Sequence, residues 1–341
     1  MYLANLRYGQ RGSARRHVRR KIIVVKYILK RVIHSLITLV IVISIVVLLL
    51  RQMPVEGYFN NYDKVSETQK YVKLQSLGLK DPAIVQIGKY LNQLLHGDLG
   101  TSNKYRENYP IAKIIARKAP VSIELGLLAL ALAILIGFPL GIAMARSTKG
   151  RWKFWDKFGT VLIVIVQAVP SAVYHILIQL YGSEWFGVSM LYDKRDWRTW
   201  ILPVISLSLG SMVYYAMWLR RYMVDESNKD YIKLARVKGV SSKKINSVHI
   251  FRNAVVPLVQ YLPESILFTL MGSLYVESLY SIPGMGGLLV QAIKIQDNTL
   301  VEALVVIYAA LSVLGLLLGD LLMAFLDPRI SLTRKEGSRS S

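Results

Sequence analysis

The chain has 341 residues, of which 53% are hydrophobic, and it contains no cysteine. A mean hydropathy of +0.37 is too apolar for a soluble globular protein, which must cover itself with polar groups, and the lack of cysteine excludes disulfides, thiolate metal sites and cysteine nucleophiles. The formal charge of +22 does not imply nucleic acid as a partner, because the Lys and Arg residues sit in short segments between apolar runs, where they set orientation in a membrane.

Residues 1–31 form a basic extension, expected to be cytoplasmic. The apolar run after it predicts a first spanning helix over Val32–Leu50. That run exceeds the apolar core of a signal peptide, and Arg51-Gln52-Met53-Pro54 offers no small-x-small cleavage site, so the helix is expected to remain as an anchor. Residues 51–121 are mixed and polar, with Gly78 to Pro82 and Gly97 to Gly100 as turn punctuation, and read as one long extracytoplasmic loop with room for short helices. Its lysines do not oppose this, since long loops translocate largely regardless of charge.

Five more apolar stretches follow, Ser122–Ala145, Phe158–Tyr181, Ile201–Leu219, Ala254–Tyr280 and Leu300–Leu326, for six spans in all. Within them, Gly137-Phe138-Pro139-Leu140-Gly141 and Val169-Pro170-Ser171 pair helix breakers with small residues, which suits kinks and close helix packing. Arg146–Lys157, Arg220–Asn253 and the tail after Asp327 are basic, whereas Gly182–Trp200 and Ser281–Thr299 carry little net charge. This alternation places both termini in the cytoplasm. The expected fold is an all-α integral membrane protein of six transmembrane helices, with one membrane domain over 32–327 and a cytoplasmic tail over 328–341.

The polar segment between the fourth and fifth spans predicts a short amphipathic helix. Tyr231, Leu234 and Ala235 share one face by spacing, and Lys233, Arg236 and Lys238 spread over the remainder. Gly239 suits the helix end because it takes left-handed backbone angles, and Ser241-Ser242 can cap a second helix through Ile250. Spacing alone leaves this helix-turn-helix elbow open as a nucleic-acid reader, a lipid-surface helix or a docking element.

No phosphate-binding Gly-x-x-x-x-Gly-Lys-Ser/Thr loop, His-Glu-x-x-His or Gly-x-Ser-x-Gly motif occurs, so an enzymatic role is not expected, and Ser281 to Gly286 reads as a helix-ending turn. An ion-coupled secondary carrier, the rival class, needs titratable groups inside the membrane. Glu124, Glu277 and Asp320 lie near span ends, where solvation or helix-end contacts explain them. Glu264 and His175 lie deeper and are the candidates for a translocation path, with packing as the other reading of His175.

The stretch DYIKLARVKGVSSKKINSVHIFRNAVVP, Asp230 to Pro257, closely resembles the cytoplasmic coupling signature of ATP-binding-cassette (ABC) importer permeases, with Ala235, Gly239 and Pro257 at the expected relative positions. LHGDLGTS (Leu95 to Ser102), IGFPLGIAMA (Ile136 to Ala145), VESLYSIPGMGGLL (Val276 to Leu289) and LDPRI (Leu326 to Ile330) resemble, in the same order, the oligopeptide/dipeptide permease family, first-permease type. The resemblance implies a subunit of the bacterial cytoplasmic membrane, paired with a second permease, two cytoplasmic ABC ATPases that bind ATP and Mg, and an extracytoplasmic peptide-binding protein. It implies no cofactor in this chain. It also assigns ATPase coupling to Asp230, Tyr231, Leu234, Ala235, Arg236, Lys238 and Gly239. A same-family importer of nickel, glutathione or another small solute is the nearer alternative, because selection commonly belongs to the binding protein. The basic extension departs from the family pattern; it reads as a solvated tail or as a lipid-surface anchor.

Overall fold

The computed structural model describes residues 2–148, 154–271 and 273–326; the tail over 328–341 lies outside them. Helix α1 (Tyr2–Leu50) joins the basic extension and the first span in one continuous element. Short 3-10 turns at Val55–Tyr58 and Tyr62–Lys64 precede α2 (Glu67–Ser76), which opens on a capping box between Ser66 and Gln69, and α3 (Ala83–Leu95). A small antiparallel hairpin, β1 (Thr101–Ser102) with β2 (Tyr109–Pro110), leads into α4 (Ile111–Ser147). Then come α5 (Phe154–Ala168), α6 (Ser171–Phe186), α7 (Ile201–Ser227), α8 (Asp230–Val237) and α9 (Ser242–Lys244). A π-helical turn, Ile245–Phe251, continues into α10 (Arg252–Val259), followed by α11 (Leu262–Met271), α12 (Leu274–Leu279), α13 (Met285–Lys294) and α14 (Asn298–Leu326).

Among the described residues four helical segments are long and apolar enough to cross a bilayer: Lys26–Leu50, Ile111–Ser147, Trp197–Ser227 and Asn298–Ala324. The α5–α6 pair makes a fifth if counted as one span. The kink expected at Val169-Pro170 is a bend of 105°, because Pro170 has no amide hydrogen to continue the helix and restricts the residue before it. The stretch predicted as one helix over Ala254–Tyr280 is instead divided among α10, α11 and α12. Pro257 and Pro263 each remove a backbone donor, and Ser273 caps α12 by accepting the Val276 amide at 3.2 Å.

Helix α4 begins well before the predicted Ser122. Ile111 and Ile114 are buried against Met285, Leu288 and Leu289 of α13 and Leu300 and Leu304 of α14, while Lys113 and Arg117 of the same turns stay exposed. Farther along, α4 packs on α7 through Gly137 and Gly141, as the small-residue motif predicts. A Cβ on Gly137 would lie 2.6 Å from the Met212 carbonyl oxygen and one on Gly141 2.7 Å from that of Ala216. Helix α1 lies along α14, with Ile43, Val47 and Val306 buried together, Arg31 paired with Asp320, and Arg51 donating to Glu302 at 3.3 Å.

Asp297, fully buried at the start of α14, fastens the hairpin region to the bundle. Its carboxylate accepts the Ser102 hydroxyl at 2.6 Å, the Asn103, Lys104 and Tyr105 amides at 3.1, 2.9 and 2.9 Å, and the Leu300 amide at 3.2 Å. Burial alone would raise its pKa, but the bonds from Ser102, Tyr105, Lys104 and Asn103 outweigh it and hold the carboxyl below the ordinary range. A depressed carboxyl contributes stability above its unfolded-state value, about 3.9, and that stability is lost as pH falls through the lower folded value. Amide protection over residues 102–105 is therefore expected to be level between pH 5 and 8 and to fall below about pH 4. In Asp297→Asn it should be reduced across the whole range, as hydrogen exchange can read.

A second long-range lock joins α4, α12 and α13. Fully buried Glu277 accepts the Ser122 hydroxyl at 2.6 Å and the Gly286 and Gly287 amides at 2.7 and 3.1 Å, while the Met285 amide donates to Ser122 Oγ at 2.7 Å. The unpaired amides that open α13 are thus satisfied by an internal carboxylate and hydroxyl. The expected helix-ending turn is present, with Ser281 at φ +55° closing α12.

Candidate functional site: an elbow and a cleft

Asn228 and Lys229 alone separate α8 from α7. Asp230 occupies its first turn, where the helix dipole favours an anion, and Lys233 pairs with it at 2.8 Å, holding the carboxyl below its ordinary range. The helix ends at Gly239, φ +75°. The Gly239 amide donates to the Arg236 carbonyl at 3.0 Å and the Val240 amide to the Ala235 carbonyl at 3.1 Å. These are the two bonds of a Schellman closure, so the predicted role of Gly239 at the helix end is met.

The shared face of Tyr231, Leu234 and Ala235 is not the one that α8 turns to the bundle. Ile232, 0% exposed, is the residue α8 buries, with Ala235 and Val240 packed against the same core as Met223, Ile245 and Ile250. Ile232 and Ala235 are three residues apart and share a stripe, which places Leu234 on the other side. Leu234 is 53% and Val237 86% exposed, and Lys233, Arg236 and Lys238 are exposed around them. Tyr231 is neither core nor free surface, since its hydroxyl donates to Glu226. The second arm also differs: Ser241 stands at the N-cap position without a side-chain capping bond, and the helix runs past Ile250 through the π turn to Val259.

Two polar clamps hold this end of the bundle. Arg220 of α7 grips Asp156 of α5 with two bonds of 2.5 and 3.0 Å. Glu226, on the last turn of α7, accepts from Tyr231 and from Asn253 Nδ2 at 3.2 Å and pairs with Lys229 at 2.5 Å. Neither clamp was read from the sequence, where Asp156, Glu226 and Asn253 look like ordinary surface polars.

Deeper in the bundle, a cleft of about 370 Å³ opens between α4, α7 and α11. Its wall is apolar with hydroxyls at intervals: Ser122 of α4, Ser211 of α7, Ser265 of α11, and Ser273 beyond it. Of the candidates for a translocation path, neither His175 nor Glu264 is among the residues lining this cleft. His175 is buried in α6 between the rings of Tyr174, 4.5 Å away, and Tyr275, 5.8 Å away. Glu264 is half-buried in the first turn of α11, against Gly315 of α14. Its neighbour Ser265 is the α11 residue on the cleft, and it bonds the Tyr215 hydroxyl at 3.1 Å. The signal in the sequence was the serines inside otherwise apolar helices.

Residues 137–332 match the family described as the binding-protein-dependent transport system inner membrane component. The chain belongs to that family. The matched segment of this transport family opens at Gly137 in the α4–α7 contact and takes in the elbow and the α7 and α11 walls of the cleft. The chain is accordingly a multi-pass membrane permease component and not an ATPase. It is 33% identical over 311 residues to the dipeptide transport system permease protein DppB of Lactococcus lactis subsp. cremoris, covering 90% of this chain and 100% of the relative. To the oligopeptide transport system permease protein OppB of Salmonella typhimurium it is 30% identical over 311 residues, covering 89% and 99%. To the oligopeptide transport system permease protein AmiC of Streptococcus pneumoniae it is 37% identical over 217 residues, covering 62% of this chain but 42% of that relative. The chain thus spans less than half of the pneumococcal relative and the full length of the lactococcal one.

Proposed function

We propose that the chain is the first-type permease subunit of an ATP-driven ABC importer of oligopeptides or dipeptides in a bacterial cytoplasmic membrane. The names of the lactococcal, Salmonella and pneumococcal relatives support the substrate class. The cleft lined by Ser122, Ser211 and Ser265 supports a passage at an interface with a second permease. Ser211, exposed on the α7 wall, can exchange hydrogen bonds with peptide groups without fixing any one side chain, whereas the Ser122 hydroxyl is held by Glu277 and the Met285 amide. Glu264, beside Ser265 in sequence, and His175 are secondary candidates for that path.

In this reading α1, α4, the bent α5–α6 pair, α7, the α10–α12 series and α14 make six crossings. Residues 1–31 and 328–341 are cytoplasmic, 32–327 form the membrane domain, and the α2–α3 and hairpin layer faces the extracytoplasmic binding protein. Two cytoplasmic ATPases bind ATP and Mg²⁺. ATP can turn the path only by binding one ATPase arrangement more tightly than the other, and the elbow delivers that preference.

The observation that carries the proposal is the outer face of α8. It is a short helix closed by Gly239, tethered at Tyr231 and Ile232, with Leu234 and Val237 exposed among Lys233, Arg236 and Lys238. Apolar anchors ringed by charge on a short exposed helix fit a groove in a soluble partner. A photo-crosslinker placed at Val237 is expected to join the chain to an ATPase subunit, with a yield that changes on adding ATP. Crosslinks to lipid alone, or only to another copy of this chain, contradict the proposal.

A further inference from the structure

A displaced α8 acts on the cleft through its short Asn228–Lys229 connection to α7 and through the side chains that hold it to the bundle. The Ile232 contact is apolar and can slide; directional bonds to a buried charge cannot shift without leaving that charge uncompensated. Glu226, 7% exposed, is such a charge. Its carboxylate takes the Tyr231 hydroxyl from α8, Lys229 from the connection at 2.5 Å and Asn253 from α10 at 3.2 Å. Asn253 in turn donates to the Tyr231 hydroxyl at 2.8 Å and to the His249 carbonyl at 2.9 Å. One carboxylate therefore ties the end of α7 to both arms of the elbow.

Helix α7 continues from Glu226 to the cleft, where Leu207 and Ser211 form part of the wall. The Ile245–Phe251 turn between the two arms is π-helical, the kind of irregularity at which helices bend. The elbow thus has a stiff attachment to α7 and a bendable one within its second arm.

We infer that Glu226 is the positioning residue that makes the end of α7 and α8 one rigid body, so that movement of the elbow reaches the Leu207–Ser211 wall through α7. The inference rests on the elbow reading above. A merely structural Glu226 would affect how much complex is recovered and how it melts, but not the number of substrates moved per ATP.

The test uses the reconstituted complex of this chain with its permease partner, ATPases and binding protein. It compares the parent with Glu226→Gln, Tyr231→Phe and the double variant, and reads labelled peptide imported per ATP hydrolysed. Each single variant is expected to lower that ratio about five- to tenfold, the lower end of what a coupling interaction contributes. The double variant should fall no further, because both changes cut one link. Tyr231→Phe removes a single oxygen and keeps the test valid if Glu226→Gln assembles poorly. A parental ratio in both variants, losses that multiply in the double, or an effect confined to yield and melting temperature each overturn the inference. The Val237 crosslink to the ATPase separates the two levels of argument. Its absence from the parent overturns the elbow reading and this inference with it, whereas its presence beside a parental ratio overturns this inference alone.

Discussion

In a complex carrying Gly239→Arg, ATP-driven import is expected to fall at least tenfold, with ATP hydrolysis no longer stimulated by substrate. Gly239 holds φ +75°, and an L residue in that region costs roughly 1–2 kcal/mol, too little to unfold a domain stable by about 5–15 kcal/mol. Among the described residues nothing lies within 4 Å of a Cβ built there, so the root of the new side chain meets no internal clash. The loss is expected because the side chain projects from the closed end of α8 into whatever covers the elbow. Gly239→Asn distinguishes backbone strain from obstruction, since Asn tolerates left-handed angles. It should retain most of the import that Arg abolishes, and uptake measured beside ATPase activity decides it. Parental uptake in the Arg variant would mean that the elbow seats in no groove.

The largest expected effect on stability lies far from the elbow, at Gly284. A Cβ there would overlap Glu277 Oε2 and Ser122 Oγ, the two groups that satisfy the first amides of α13. Gly284→Ala must displace a buried carboxylate from its donors or push α12 from α4, costing about 3 kcal/mol. Thermal melting of the purified chain in mild detergent should drop by about 4 °C. Gly97, with φ +71° and nothing within 4 Å of an added Cβ, should lose only the roughly 1–2 kcal/mol of conformational strain on the same change. Equal shifts at both positions would contradict the steric account of the lock.

What could be read in advance follows from the range of each interaction. Apolar runs are local, so the first, second, fourth and sixth spans were legible, as was the Gly239 helix end, which depends on one backbone angle. The start of α4 was hidden because Lys113 and Arg117 give its first turns the look of a loop, although Ile111 and Ile114 carry the burial. The fifth stretch reads as continuous by hydropathy, but hydropathy does not register that Pro257 and Pro263 withhold their backbone donors. Least legible were the locks between distant positions. Ser102 meets Asp297 across 195 residues of sequence and Ser122 meets Glu277 across 155. The motifs containing Ser102 and Glu277 were visible, but not that they serve as internal anchors. Which face of α8 meets the bundle was not legible, because periodicity gives the grouping of residues and not the group that is buried; Ile232 takes the core and Leu234 the surface.

The central claim is that this permease is driven by ATP bound to partner subunits. It is tested most directly by uptake of labelled peptide into proteoliposomes holding the assembled complex and its binding protein, with ATP on the ATPase side and an ionophore cocktail that abolishes ion gradients. The account predicts uptake that follows ATP and is indifferent to the ionophores. Uptake that collapses with the gradients while ATP remains high, or that proceeds on a gradient without ATP, would contradict it and place the chain among ion-coupled carriers.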